Sequence, residues 1–161
     1  MAEAYLTLLR MGNDLKGNEK GILKVMSGNS MTSVFATREN DVTLQYSSLR
    51  VGIYEMEHSM KTHNMDGTLS TNPKRCLRPT DSRIRSILIH AAANDNPDTL
   101  QGCIAPGTFG QLYSFSDSEK SMEELFQALG GYQEGSKVTL KVLSNATGVG
   151  LDTKETWKRT K

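Results

Sequence analysis

The chain has 161 residues, of which 37% are hydrophobic and 23% are charged, and its formal net charge is +1. These values are typical of a single globular domain, and the low net charge gives no overall electrostatic footprint for nucleic acid. No apolar run approaches the roughly 18 residues that a membrane-spanning helix needs. From the net charge we therefore expect no nucleic-acid partner, and from the lack of a long apolar run we expect no membrane.

The ends of the chain and its cysteines indicate an expected compartment. The N-terminal residues lack the basic and apolar regions of a signal peptide, which predicts synthesis in the cytoplasm without a leader. Cys76 and Cys103 are too few for a disulfide scaffold, so both are expected to be thiols, and a disulfide formed after export is the alternative. Residues 1–150 are interpreted as a single catalytic-like domain, and residues 151–161 form a basic C-terminal tail.

Five strands are predicted in the first third of the chain. Runs of β-branched, aromatic and other apolar residues alternate there with clusters of turn residues. Two of these runs flank Glu39-Asn40-Asp41, which favours a hairpin between them. The predicted strands are residues 4–10, 22–26, 33–38, 42–46 and 50–58.

Residues 59–81 are polar and rich in turn residues, and they predict a long loop. Loops of this length inside compact domains are usually functional or disordered. The later part of this segment and the residues after it are basic, and Arg75, Arg78 and Arg85 are candidate substrate-binding residues. The two interpretations are a solvated surface loop and a lid that presents cations to an anionic substrate.

The second half of the chain predicts three strands and the principal helix. Residues 84–90 are expected to form a strand that ends at His90, and residues 112–115 and 137–143 are expected to form two more. The segment 117–131 carries apolar residues at helical spacing, with capping residues before it and two glycines at its end. These elements predict a mainly β (α+β) fold with a mixed β-sheet and one principal helix.

The stretch from His90 to Cys103 contains the residue types that acyl transfer by cysteine requires. Cys103 is the candidate nucleophile, His90 the candidate base, and Asp98 or Asn94 the candidate group that orients the imidazole. Gly102 lets the chain turn sharply beside the thiol, and the amides of Gly102 and Cys103 are candidate donors to an oxyanion.

Structural roles are the alternative for the same residues. A lone cysteine is commonly a small buried hydrophobic residue, and a lone histidine at a strand end is commonly a satisfied structural group. The order of His before Cys is the reverse of that in papain-type peptidases. The chain has no Cys-x-x-Cys or His-x-x-x-His pair, so neither a metal nor another cofactor is expected.

The pattern Ile89-His90, Asn94, Asp98-Thr99 and Gly102-Cys103-Ile104 resembles that of a family of small domains found in phage and bacterial genomes. Members of that family carry I-H-A-G-N, then D-T-x-G-C-I and a glycine. Two upstream segments also resemble the corresponding segments of that family. They are Thr37-Arg38-Glu39-Asn40 and the strand Gly52-Ile53-Tyr54. The resemblance covers roughly residues 6–107, and its specific part is the His to Gly-Cys pattern.

More distantly, the stretch is similar to the YkuD-type L,D-transpeptidases, which place an I-H-G strand end upstream of S-H-G-C-I. This resemblance implies a barrel-like L,D-transpeptidase-type fold in which Cys103 accepts the acyl group and His90 is the base. It implies a peptidoglycan stem peptide as the substrate. Leu100-Gln101 stands where those enzymes have Ser-His, which favours thiol-based cleavage over transpeptidation.

Two functions follow as expectations. The first is a cysteine acyltransferase, amidase or peptidase acting on peptidoglycan stem peptides, reaching the cell wall after lysis, virion delivery or injection. Its arginines at positions 75, 78 and 85 would meet the carboxylates of the stem peptide. The second is a catalytically inactive structural or wall-binding module of a phage tail or contractile injection apparatus. An inhibitor or immunity-like interaction domain is a further alternative, ranked below both.

Overall fold

The structure is a computed structural model of the chain, and it describes seven segments. These segments are residues 3–13, 19–39, 49–63, 68–85, 87–91, 103–108 and 118–144.

Seven β-strands and one α-helix make up the regular structure of the described segments. A short 3-10 helix, Ser82–Ile84, follows the fifth strand, and the α-helix α1 spans Ser118–Ala128. The strands are β1 (Ala4–Asn13), β2 (Glu19–Ser27), β3 (Ser30–Glu39), β4 (Gly52–His63), β5 (Leu69–Pro79), β6 (Ala105–Gly107) and β7 (Lys137–Ser144).

All seven strands belong to one sheet with the order β5-β4-β7-β1-β2-β3-β6. The pair β1–β7 is parallel and every other pair is antiparallel, so the sheet is mixed. The sheet curls into a half-barrel, and the prediction of a mainly β fold with a mixed sheet and one principal helix is confirmed.

Residues 87–91 connect the two edges of the curled sheet. Ile89 forms an antiparallel bridge with Leu77 of β5 and a parallel bridge with Ile104, which directly precedes β6. The backbone N–H groups of Leu77 and Ile89 each donate to the carbonyl of the other, at 3.0 and 2.9 Å. The segment that carries His90 therefore lies between β5 and β6 and is held from both sides.

The core lies on the concave face of the sheet, where alternate strand residues are buried. The apolar face of α1 packs against this core through Met122, Leu125 and Phe126, as the helical spacing predicts. Leu77, Ile89 and Ile104 are fully buried in the same cluster. The side chains of their chain neighbours therefore lie on the opposite, convex face.

Two of the predicted elements are corrected by the structure. The loop predicted at 59–81 is wrong, because β4 continues to His63 and pairs with β5 in a long hairpin. Residues 42–46, the predicted hairpin partner of 33–38, lie outside the described segments, and within them β3 pairs with β2 through a turn at Gly28-Asn29 and with β6 on its other edge. In place of a continuous strand at 84–90, the chain forms the end of a 3-10 helix and then a single bridging residue.

The prediction at 59–81 is wrong because it relied on the polar composition of the segment. Backbone pairing does not require apolar side chains, and an antiparallel hairpin can expose polar residues along most of its length. Residues 42–46, 112–115 and 151–161, for which two strands and the basic tail are predicted, lie outside the described segments.

Candidate functional site

His90 and Cys103 lie on neighbouring hydrogen-bonded segments at the convex face. The backbone N–H of His90 donates to the carbonyl of Ile104 at 3.0 Å, and the N–H of Ile104 donates to the carbonyl of Leu88 at 2.9 Å. This register places His90 beside Ala105, so Cys103 is its diagonal neighbour on the same face. Diagonal neighbours are on the order of 7–8 Å apart at the backbone, which a long side chain can span.

The Cys103 side chain is held against the backbone of the segment beside it. Its Sγ accepts a hydrogen bond from the N–H of Leu88 at 3.3 Å, and its exposed fraction is 7%. Burial raises the pKa of the Cys103 thiol, and the Leu88 N–H opposes that rise without reversing it. In the resting structure Cys103 is therefore a neutral thiol at pH 7.

The imidazole of His90 has a defined tautomer. Its Nδ1 lies 2.7 Å from the carbonyl oxygen of Ala91, and a carbonyl can only accept, so Nδ1 carries the proton. Nε2 then has the free lone pair that a general base needs. Burial lowers the pKa of His90 to about 4, so the ring is neutral at pH 7.

The Ala91 carbonyl therefore makes the contact with the imidazole that the sequence assigned to Asp98 or Asn94. Asn94, Asp98 and Gly102 lie outside the described segments. Their proposed roles in orienting the base and in binding an oxyanion stay predictions.

A second thiol, Cys76, lies in the same convex cluster as Leu88, Cys103 and Ala105. The antiparallel bridge between Leu77 and Ile89 places Cys76 opposite His90 when the register is extended by one residue. Burial raises the pKa of Cys76 to about 11, and nearby Arg78 opposes this rise. Sequence reasoning missed this neighbour because β5 was predicted to be a loop.

Charged groups next to this cluster act on its protonation. Burial is the largest cause of the pKa shifts of His90, Cys76 and Cys103. The positive charge of Lys61 lowers the pKa of His90 further, and it partly offsets the raised pKa values of the two thiols. Glu39 adds to the rise in the pKa of Cys103. Lys61 was also missed, since only its place on β4 brings it toward His90.

The three predicted substrate-binding arginines do not share one surface. Arg78 alternates with Leu77 on β5 and so lies on the convex face with Cys76. Arg75 lies on the other face, with its guanidinium carbon 4.5 Å from the ring centroid of Tyr132. Arg85 follows the 3-10 helix and forms an ion pair with Glu57 at 3.5 Å. Only Arg78 is thus placed beside the thiols.

The described segments contain no group of three or more His, Cys, Asp or Glu side chains with metal-binding geometry. In the same segments, the only α-helix is shorter and less apolar than a membrane crossing requires.

Comparisons of the chain with protein-family models, with curated protein sequences and with solved structures found no match.

Proposed function

We propose that the chain is a cysteine-dependent acyltransferase or amidase in which Cys103 is the nucleophile and His90 the general base. The observation that carries the proposal is the shared convex face of the two residues, together with the Ala91 contact that leaves Nε2 of His90 unprotonated. A base with a free lone pair near a thiol is the minimum unit of this chemistry.

In the proposed reaction, a neutral thiol and a neutral imidazole start the cycle, because burial favours the uncharged form of both. The Sγ of Cys103 attacks the substrate carbonyl carbon while its proton moves to Nε2 of His90. The tetrahedral intermediate then collapses, the C–N bond breaks, and the imidazolium gives the proton to the leaving amine. Water or a second amine then attacks the thioester, takes the acyl group and regenerates the Cys103 thiol.

The substrate class proposed for this site is the stem peptide of peptidoglycan. Support comes from the sequence pattern around His90 and Cys103 and from the cation of Arg78 beside the thiol cluster. Arg78 would attract a substrate carboxylate toward the convex face.

The second candidate function is a catalytically inactive module of a phage tail or injection apparatus. One observation favours it: Cys103 and His90 are only 7% and 8% exposed, and burial shifts the pKa of each away from the charged state. A buried, neutral Cys and His pair also suits a purely structural role.

Digestion of purified peptidoglycan separates the two candidates. The wild-type protein is expected to change the profile of released peptides in mass spectrometry, and Cys103→Ala is expected to abolish the change. Cys76→Ala is the matched control, since it removes the neighbouring thiol and should retain the activity. Equal digestion by the wild type and Cys103→Ala would reject Cys103 as the nucleophile, and no digestion by the wild type would leave the inactive module.

A further inference from the structure

A cavity of about 480 Å³ lies between α1 and the β4–β5 hairpin, close to residues 131–132. This volume lies within the range of small-molecule and peptide sites. Its lining combines an apolar part with a charged rim. The apolar part is formed by Met60, Ala91, Met122, Phe126 and Tyr132, and the charged residues are Lys74, Arg75, Glu119 and Glu123.

Arg75 is the cation of this rim that offers unused donors. Its side chain is exposed, and its guanidinium stacks on the ring of Tyr132. Among the described residues, no carboxylate or carbonyl accepts a hydrogen bond from it. Lys74, in contrast, is already paired with Glu119. A stacked guanidinium keeps its N–H fork in a fixed plane, which suits two-point binding of a carboxylate.

The hydroxyl of Tyr132 is a second polar group of the lining without a hydrogen-bond partner in the described segments. The hydroxyl oxygen is buried. The Tyr132 ring packs edge-on against Phe126 at 5.2 Å between centroids, so the ring under Arg75 is fixed in place. The apolar wall and the cation therefore have a defined relative position.

We propose that this cavity binds the C-terminal residue of a peptide, with the α-carboxylate on Arg75 and an apolar side chain against Met60, Met122 and Phe126. One fixed cation next to an apolar wall matches a ligand with one carboxylate next to one apolar group. Arg75 and Cys103 lie on opposite faces of the sheet. The site therefore goes beyond the proposed catalysis and does not depend on it.

Calorimetric titration of the full chain with acetyl-alanyl-leucine and with its C-terminal amide tests this site. The two probes differ only in the carboxylate. Because a charge-assisted bidentate contact is lost in the amide, the free acid is expected to bind at least about tenfold more tightly. Cys103→Ala should give the same result, which separates binding from any turnover.

Two arginine variants identify the residue responsible. Arg75→Gln is expected to bring the affinity for the acid down to that for the amide. Arg83→Gln is the matched control that should leave both affinities unchanged, because Arg83 is exposed and does not line the cavity. Equal affinities of the acid and the amide for the wild type would overturn the proposal. Undiminished discrimination in Arg75→Gln, or no binding of either probe up to about 10 mM, would also overturn it.

Discussion

The imidazole of His90 is buried, and burial lowers its pKa from an ordinary value of 6.5 to about 4. The unfolded chain therefore takes up a proton near pH 6.5, whereas the folded chain does so only near pH 4. The stability that comes from the neutral ring is fully present above pH 6.5 and is lost as the pH falls toward 4. At about 1.4 kcal/mol per pH unit, the loss amounts to about 3 kcal/mol.

Urea unfolding at pH 7 and pH 4 measures this effect. Between these two values the wild type should lose about 3 kcal/mol more unfolding free energy than His90→Gln, which has no titrating ring at this position. His58, whose pKa is also lowered by burial, is present in both proteins, so its contribution cancels in the difference. The same pH dependence in both proteins would show that His90 is not held neutral.

The two thiols of the convex cluster differ in access. Burial raises the pKa of both, but Cys76 is fully buried, whereas Cys103 is 7% exposed and its Sγ accepts a hydrogen bond from a backbone N–H. Since the reagent must reach the sulfur, iodoacetamide at pH 8.5 should label Cys103 several-fold faster than Cys76. Peptide mapping by mass spectrometry measures both rates, with urea-unfolded protein as the control. Equal rates in the folded protein would contradict this difference.

At the scale of elements, β1 and β3 are tied together by a buried ion pair. The guanidinium of Arg10 donates to both carboxylate oxygens of Glu39, at 3.0 and 2.7 Å, and both side chains are almost fully buried. Two-point geometry of this kind offsets the cost of removing both charges from water. Removing one partner leaves the other charge buried without compensation.

Glu39→Gln is therefore expected to reduce the free energy of unfolding by about 3–5 kcal/mol. Urea unfolding measured at pH 7 gives this value directly. Asp81→Asn is the matched control, because its pair with Arg83 is exposed and its loss should hardly move the unfolding midpoint. A small effect of Glu39→Gln would contradict this expectation and would show that other groups compensate the buried charge of Arg10.

The elements that the sequence predicts well are those whose side-chain pattern and environment agree. The strands β1, β2, β3, β4 and β7 and the helix α1 all alternate or repeat with the period that their burial requires. The element β5 was not predictable in this way, since the part from Leu69 to Arg75 is largely exposed and carries no apolar pattern, and only its end, with Cys76 and Leu77, is buried.

The candidate site was predictable in part, for the same reason. The pattern of His90 and Cys103 pointed to the segment, and the bridges of Ile89 explain how its two halves meet. The neighbours Cys76, Arg78 and Lys61 reach the site through long-range strand pairing, which no local pattern encodes. The contact of His90 with the Ala91 carbonyl depends on backbone direction, which the residue types do not specify.

At the scale of the whole molecule, the segment 87–91 is both structural and chemical. Its bridges to β5 and to Ile104 link the edges of the curled sheet, and the same backbone presents Leu88 to Cys103 and holds His90. The concave face carries the core, α1 and the proposed peptide site at Arg75. The convex face carries the thiols and the proposed catalytic pair, so the two proposed sites are physically separate.

The central claim is that Cys103 carries the acyl group in a covalent intermediate. Mass spectrometry of the acid-quenched protein and of its proteolytic peptides, after brief incubation with peptidoglycan stem peptides, tests it most directly. The wild type is predicted to gain the mass of an acyl peptide fragment on the Cys103 peptide, as a thioester that hydroxylamine removes, whereas Cys103→Ala is predicted to gain none. An unmodified Cys103 in protein that digests peptidoglycan, or an equal adduct on Cys76, would contradict the account.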